Sequence, residues 1–172
     1  MNQQPESSSS KPFKAEQIQF LGCHWLVCAI RFPTQWDRGQ DARSVDMKLK
    51  QHMFLHIGGM DDAPDDLHVH FGTVYQPVSE AQKKEVQLEF TIDFFFRVDE
   101  LQAYVSASED ASNKTLDERI ALSVASVAYS TARGMILERT LNLPIEPVKL
   151  AVLSPRRLLE LPGTREEALK LH

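Results

Sequence analysis

The side chains best suited to chemistry are histidines. The chain has six, and His52, His56, His68 and His70 share one parity on either side of the run Gly-Gly-Met-Asp-Asp-Ala-Pro-Asp-Asp. Two strands folding back symmetrically about that run would set His56 opposite His68, with His70 one pleat away. Imidazoles so placed can hold a divalent metal. No carboxylate in the set is placed as a base or fourth ligand, and histidine is also an ordinary occupant of a wet strand face. The solvated reading is preferred, and neither a metal nor another cofactor is expected. A metal-dependent enzyme built on this hairpin ranks behind the other functional readings.

Other reactive groups give less. The aspartate-rich turn lacks the ligand spacing and terminal glutamate of a calcium loop. Nucleotide-binding glycine loops, the nucleophile-elbow serine and the H-E-x-x-H zinc pattern are all absent from the sequence. Cys23 and Cys28 lie five apart in one apolar run. In a regular strand that odd separation sends them to opposite faces, and two cysteines make no zinc quartet. Carboxylates are mostly interleaved with Lys and Arg. The chain reads as a non-enzyme.

Composition narrows the classes. With 172 residues there is material for one sizeable core, and 42% apolar and 25% charged residues are ordinary for a globular domain. A formal charge of −5 without a basic block disfavours nucleic acid as a partner. No apolar run stands out as a membrane span, so no membrane insertion is expected. The first residues, MNQQPESSSSKPFK, lack the apolar stretch of a secretion signal, which makes the cytoplasm the default location. Residues 1–14 are expected to be a disordered tail, 15–160 a single domain, and 161–172 a short tail in which Thr164-Arg165-Glu166-Glu167 offers a capping box.

Four strands precede one long helix. In the first, ending near Phe32, Ile18 and Phe20 and then Trp25, Val27 and Ala29 alternate with a phase shift near Gly22, as a bulge would cause. A polar crossover loop carrying Trp36 follows. The second strand alternates Met47, Leu49, Met53, Leu55 and Ile57 with Lys and His; the third alternates Leu67, Val69, Phe71, Thr73 and Tyr75 with His68 and His70. The fourth, Val86 to Val98, has the strongest period-two signal, with Phe95 the one apolar residue on its polar face. Short connections imply an antiparallel meander, dry on one face.

The helix opens at Thr115-Leu116-Asp117-Glu118, which reads as a capping box. Ile120, Val124, Val127, Thr131 and Met135 form one stripe; Ala121, Ala125, Ala128 and Ala132 form a second, of small volume. No charge falls between Arg119 and Arg133, so the helix wants burial on more than one side. One side can take the sheet. The alanine side invites close approach by another element, either the same helix of a second subunit or the monomer's own core. Two prolines then force an extended segment, and Ser154-Pro155 starts a short helix that Pro162-Gly163 stops. Trp25, Phe32, Trp36, Phe54 and Phe95 lie off the best-defined dry faces. That surplus of apolar surface marks association with other chains.

The run IALSVASVAYSTARGMILERT followed by LNLPIEPVKLAVLSPRRLL, together with FTIDFFFRVDEL as a fourth strand, resembles the SecB-like export chaperones over roughly residues 16 to 160. The resemblance implies an α+β fold: a four-stranded antiparallel sheet, one long helix packed on it and a short C-terminal helix. It implies an ATP-independent holdase for unfolded polypeptides, a homotetramer built as a dimer of dimers, and an acidic sheet face as the analogue of the surface that engages the SecA motor. By the same likeness Phe32, Trp36, Leu158 and Leu159 are client-binding candidates; the alanines at 121, 125, 128 and 132 are placed at the oligomer interface by their small volume on an uncharged helix face. Phe94-Phe95-Phe96 replaces the family's Gly-rich strand end, and REEALKLH is not its motor-binding tail. A dedicated client, such as the antitoxin of a toxin–antitoxin pair, is therefore as open as general export. From a different class, a homo-oligomeric interaction scaffold with one folded partner is the alternative.

Overall fold

The computed structural model describes residues 12–32, 49–78, 87–107, 114–143 and 147–161. Four strands, β1 (Ile18–Arg31), β2 (Leu49–Met60), β3 (Ala63–Pro77) and β4 (Gln87–Val98), form one antiparallel sheet in the order β1-β4-β3-β2. The first strand thus pairs with the fourth and not with the second, so the four-strand meander expected from short connections holds only for β2-β3-β4, and β1 is joined to β2 by a crossover. A 3-10 turn, Leu101–Tyr104, leads to a two-stranded ladder of β5 (Val105–Ala107) and β6 (Lys114–Leu116). Helix α1 (Glu118–Thr140) covers one face of the sheet, and α2 (Pro155–Leu158) follows an irregular return segment. This is the α+β architecture that the alternation and the single long helix imply.

Period two sets the core. Leu55, Ile57, Phe71, Phe90, Phe94 and Phe96 are almost wholly buried on the helix side of the sheet, each on the dry parity of its strand. Tyr129 of α1 meets Phe71 edge to face at 5.6 Å, and its hydroxyl donates to the Ala151 carbonyl at 2.8 Å. Thr140 is a second tie. Its Oγ1 donates to the Ile136 carbonyl and accepts from the Val148 amide at 3.0 Å, so the chain leaving α1 is pinned at the point where the prolines forbid helix.

The alanine stripe lies in the core of its own chain. Ala121 is 5% exposed, and Ala125, Ala128 and Ala132 are 0% exposed. Small side chains let the helix axis approach the Phe-rich sheet closely, so the close neighbour is this chain's own core. The other stripe divides: Ile120 and Val124 are buried, whereas Val127 is 43% exposed and Thr131 and Met135 are half-buried. By length and composition α1 also qualifies as a membrane span, contrary to the expectation that no run would. Its packing on the sheet accounts for that apolar character.

Local starts differ from the spacing. Asp117, not Thr115, caps α1 and accepts from the Arg119 amide at 2.8 Å. Thr115 is held in β6 opposite Ser106, and buried Leu116 fixes it there. The Arg119 guanidinium also binds the Asp117 carboxylate, which holds Asp117 below the usual carboxylate range. At α2 the reading holds: Ser154 is the cap, with Pro155 at the first helical position. Phe13, inside the expected tail, packs edge to face on Tyr104 at 5.9 Å; residues 1–11 and 162–172 lie outside the described residues.

Candidate functional site

Strand β1 is an edge that carries apolar side chains outward. Its register with β4 breaks twice, between Phe20 and Gly22 and between Trp25 and Val27. The first break is the bulge that Gly22 signals; its φ of +149° is a conformation that L side chains rarely adopt. Leu21 and Leu26 are the extra residues, 42% and 48% exposed, and Phe20 beside them is 43% exposed. The second bulge has no glycine to announce it. It turns Val27 and Ala29 to the outer face, opposite Thr91 and Glu89, and returns Cys28 and Ile30 to the helix side, opposite Phe90 and Leu88. Cys23 and Cys28 therefore share a face. Their β4 partners, Phe94 and Phe90, are four residues apart, roughly 13 Å, too far for a disulfide.

Helix α1 shields only the inner side of this edge. Cys23 Sγ lies 3.7 Å from Met135 Sδ, and burial there pushes the Cys23 thiol up. The Arg139 guanidinium stands 5.9 Å over the Trp25 ring. Beyond them nothing among the described residues pairs with the outer edge of β1, since β4 is its one sheet neighbour. A long edge strand with open N–H and C=O groups and flanking apolar side chains is a template for another strand.

The four client-binding candidates fare differently. Leu158 is 2% exposed within the chain's own core, while Leu159 and Phe32 are half-buried against it. Trp36 lies outside the described residues. The structure thus brings forward Leu21 and Leu26, which alternation does not select, together with Phe20, which it places on the dry parity. For Leu26 the signal is the unbroken apolar stretch Trp25-Leu26-Val27-Cys28-Ala29-Ile30, too long for a strand with one dry face; for Leu21 it is the phase shift at Gly22.

The outer face of the sheet is not the acidic surface that the resemblance implies. His56, His70, Asp93 and His24 fall in one row across all four strands. His70 Nδ1 and Asp93 Oδ1 are 2.5 Å apart, with His24 Nε2 3.9 Å from Asp93 Oδ2. His24 stacks on Phe95 and Phe54 on His70. Asp66 is held by a two-pronged bond from Arg97, 2.7 and 2.9 Å. Asp66 and Asp93 thus already face basic side chains. His56 stands opposite His70 rather than His68, because the turn is only Asp61-Asp62 and the register shifts between Gly59 and Met60.

No family model matches the chain, and no curated protein does. Among solved structures it is similar to the SecB-like chaperone Rv1957 of Mycobacterium tuberculosis, determined in complex with a ChAD peptide from the HigA1 antitoxin, with a TM-score of 0.51 and 14% identity. The match covers 81% of this chain and 93% of that one. At that identity the likeness is one of fold alone.

Proposed function

We propose that the protein is an ATP-independent, SecB-like holdase that binds unfolded or aggregation-prone polypeptide through the β1 edge. The observation that carries the reading is that edge: a 14-residue strand on a SecB-like fold, unpaired on one side among the described residues, with Phe20, Leu21 and Leu26 exposed beside it. An extended segment can add to it as a further strand, main-chain bonds giving affinity and apolar side chains filling the spaces at the bulges. No covalent step is needed. Removing client surface from water supplies roughly 25 cal/mol per Å², so a few large side chains give several kcal/mol before ordering costs.

Client class follows from two supports. The similar mycobacterial chaperone was solved with an antitoxin peptide, which favours a dedicated client of that kind over general export. Among the described residues the outer face mixes Asp66 and Asp93 with histidine, arginine and phenylalanine, so we assign docking to the SecA motor the lesser place. Assembly as a cytoplasmic homotetramer, a dimer of dimers, belongs to the same proposal. It would use the open strip of α1 around Val127, not the alanine stripe, and leave the β1 edge to the client. A scaffold for one folded partner would use the same surface. Selectivity separates the two: a holdase binds several unrelated unfolded chains and ignores their native forms.

The test is suppression of aggregation of a chemically denatured model protein without ATP, at equimolar chain. Failure at a several-fold excess would sink the proposal. Light scattering should give four times the 19.5 kDa chain mass; a monomer at micromolar concentration would remove the assembly part and leave the edge open for client alone.

A further inference from the structure

The outer face holds a second feature that the holdase reading does not use. Across the sheet His68 has two neighbours, Phe95 on β4 and Gly58 on β2. The half-buried Phe95 ring fills one side and the glycine leaves the other empty. The His68 ring lies over the glycine. A methyl group placed on Gly58 would stand 3.1 Å from both Cε1 and Nδ1 of His68, and 3.3 Å from Cε1 of His56. Cε1 is the ring carbon between the two imidazole nitrogens, so both rings bring a nitrogen-bearing edge over the same backbone position. Their centroids are 5.9 Å apart. Metal–nitrogen bonds of about 2.0–2.1 Å set the ring centres of two imidazoles sharing one ion roughly 5–6 Å apart.

We propose that His56 and His68, converging over Gly58, form a two-imidazole site for a divalent transition-metal ion of the imidazole-preferring kind, Cu²⁺, Ni²⁺ or Zn²⁺. The hairpin is a suitable frame, because β2 and β3 pair without interruption from Leu49 opposite Pro77 to Gly59 opposite Leu67. Ligands on paired strands are held more closely than ligands on loops. No group of three or more His, Cys, Asp or Glu able to hold a metal occurs among the described residues, so the site is proposed on the two imidazoles, with water in the remaining positions once the ion is bound. Burial keeps His68 in its neutral, ligating form below the usual imidazole range, and nearby His56 and His70 act the same way while Asp93 opposes them. Binding releases protons and weakens as pH falls through the imidazole range.

The experiment is titration of the full, tag-free chain with Cu²⁺ and with Zn²⁺ by calorimetry, with electron paramagnetic resonance of the Cu²⁺ form. The expected result is one equivalent bound with nitrogen coupling from two imidazoles. His56→Asn and His68→Asn should each weaken binding at least tenfold. Gly58→Ala, which keeps both ligands but fills the space beneath them, should weaken it too, and His24→Asn should not. Circular dichroism of each variant separates lost ligands from lost fold. Unsaturable binding in the wild type, full affinity in either histidine variant, or an equal loss in His24→Asn would overturn the site.

Discussion

Strands β3 and β1 flank the same partner, β4, and do opposite things with it. β3 pairs with β4 without a break from Asp66 opposite Arg97 to Tyr75 opposite Leu88, and it buries Leu67, Val69 and Phe71 completely. β1 pairs through two bulges, and none of its 14 residues is buried. The central strand builds the core; the edge strand completes the ladder and then presents side chains outward. A sheet can therefore be rigid in the middle and adhesive at one margin, with two inserted residues making the difference.

The sharpest way to break the comparison is to attack the covered side of the sheet. Ala125→Glu or Ala128→Arg forces an unpaired charge into a site with no exposure, which costs several kcal/mol. Both variants should unfold or melt far below wild type in circular dichroism. A folded variant that merely dissociates would move the alanine stripe back to an interface between subunits.

Next in size is Gly72, where the Phe54 ring lies across the backbone and a methyl would collide with Cζ and Cε1 of that ring. Gly72→Ala should cost about 1–3 kcal/mol of stability in urea. The double variant with Phe54→Ala should recover part of that loss, and strict additivity would mean the contact is unimportant.

At the edge the effect on stability should be small and the effect on function large. Leu21→Lys with Leu26→Lys should change stability by no more than about 0.5 kcal/mol per site. The same variant should lose aggregation suppression while its assembly in light scattering stays that of wild type. Undiminished suppression would locate client binding elsewhere.

Smallest is a pH effect from His68. Burial lowers its proton affinity in the folded chain, so the folded state disfavours the imidazolium. The stability it contributes is complete above the ordinary value of 6.5 and is lost as pH falls below it. Urea titrations from pH 7.5 to 5 should show that decline, and His68→Asn should flatten it.

Much of this was written in the alternation. β4 reads directly from Leu88, Phe90, Ile92, Phe94 and Phe96, since period two with one dry face has a single solution. The existence of α1 is equally plain. Which side of it meets the sheet is not, because a helix apolar all round gives periodicity without direction; only packing shows that the alanines, not Val127, go inward. Three-residue strands such as β5 and β6 carry no period at all, and so Thr115 competes with Asp117 as a cap on equal terms. The bulge at Leu26 lacks a glycine, and the histidine register depends on how β3 begins at Ala63, before the alternation of Leu67, Val69 and Phe71 sets in. Of the candidate site, the excess of apolar surface was legible, but the residues that expose it were not.

The pairing of the first strand with the last has a consequence in time. At about 5–20 residues per second, several seconds of synthesis separate the last residue of β1 from the first of β4. Throughout that interval β1 has no partner in its own sheet, and the contact it awaits is among the most distant in the fold. A nascent copy of this protein is thus, briefly, an extended apolar segment of the kind that its finished neighbours are proposed to hold.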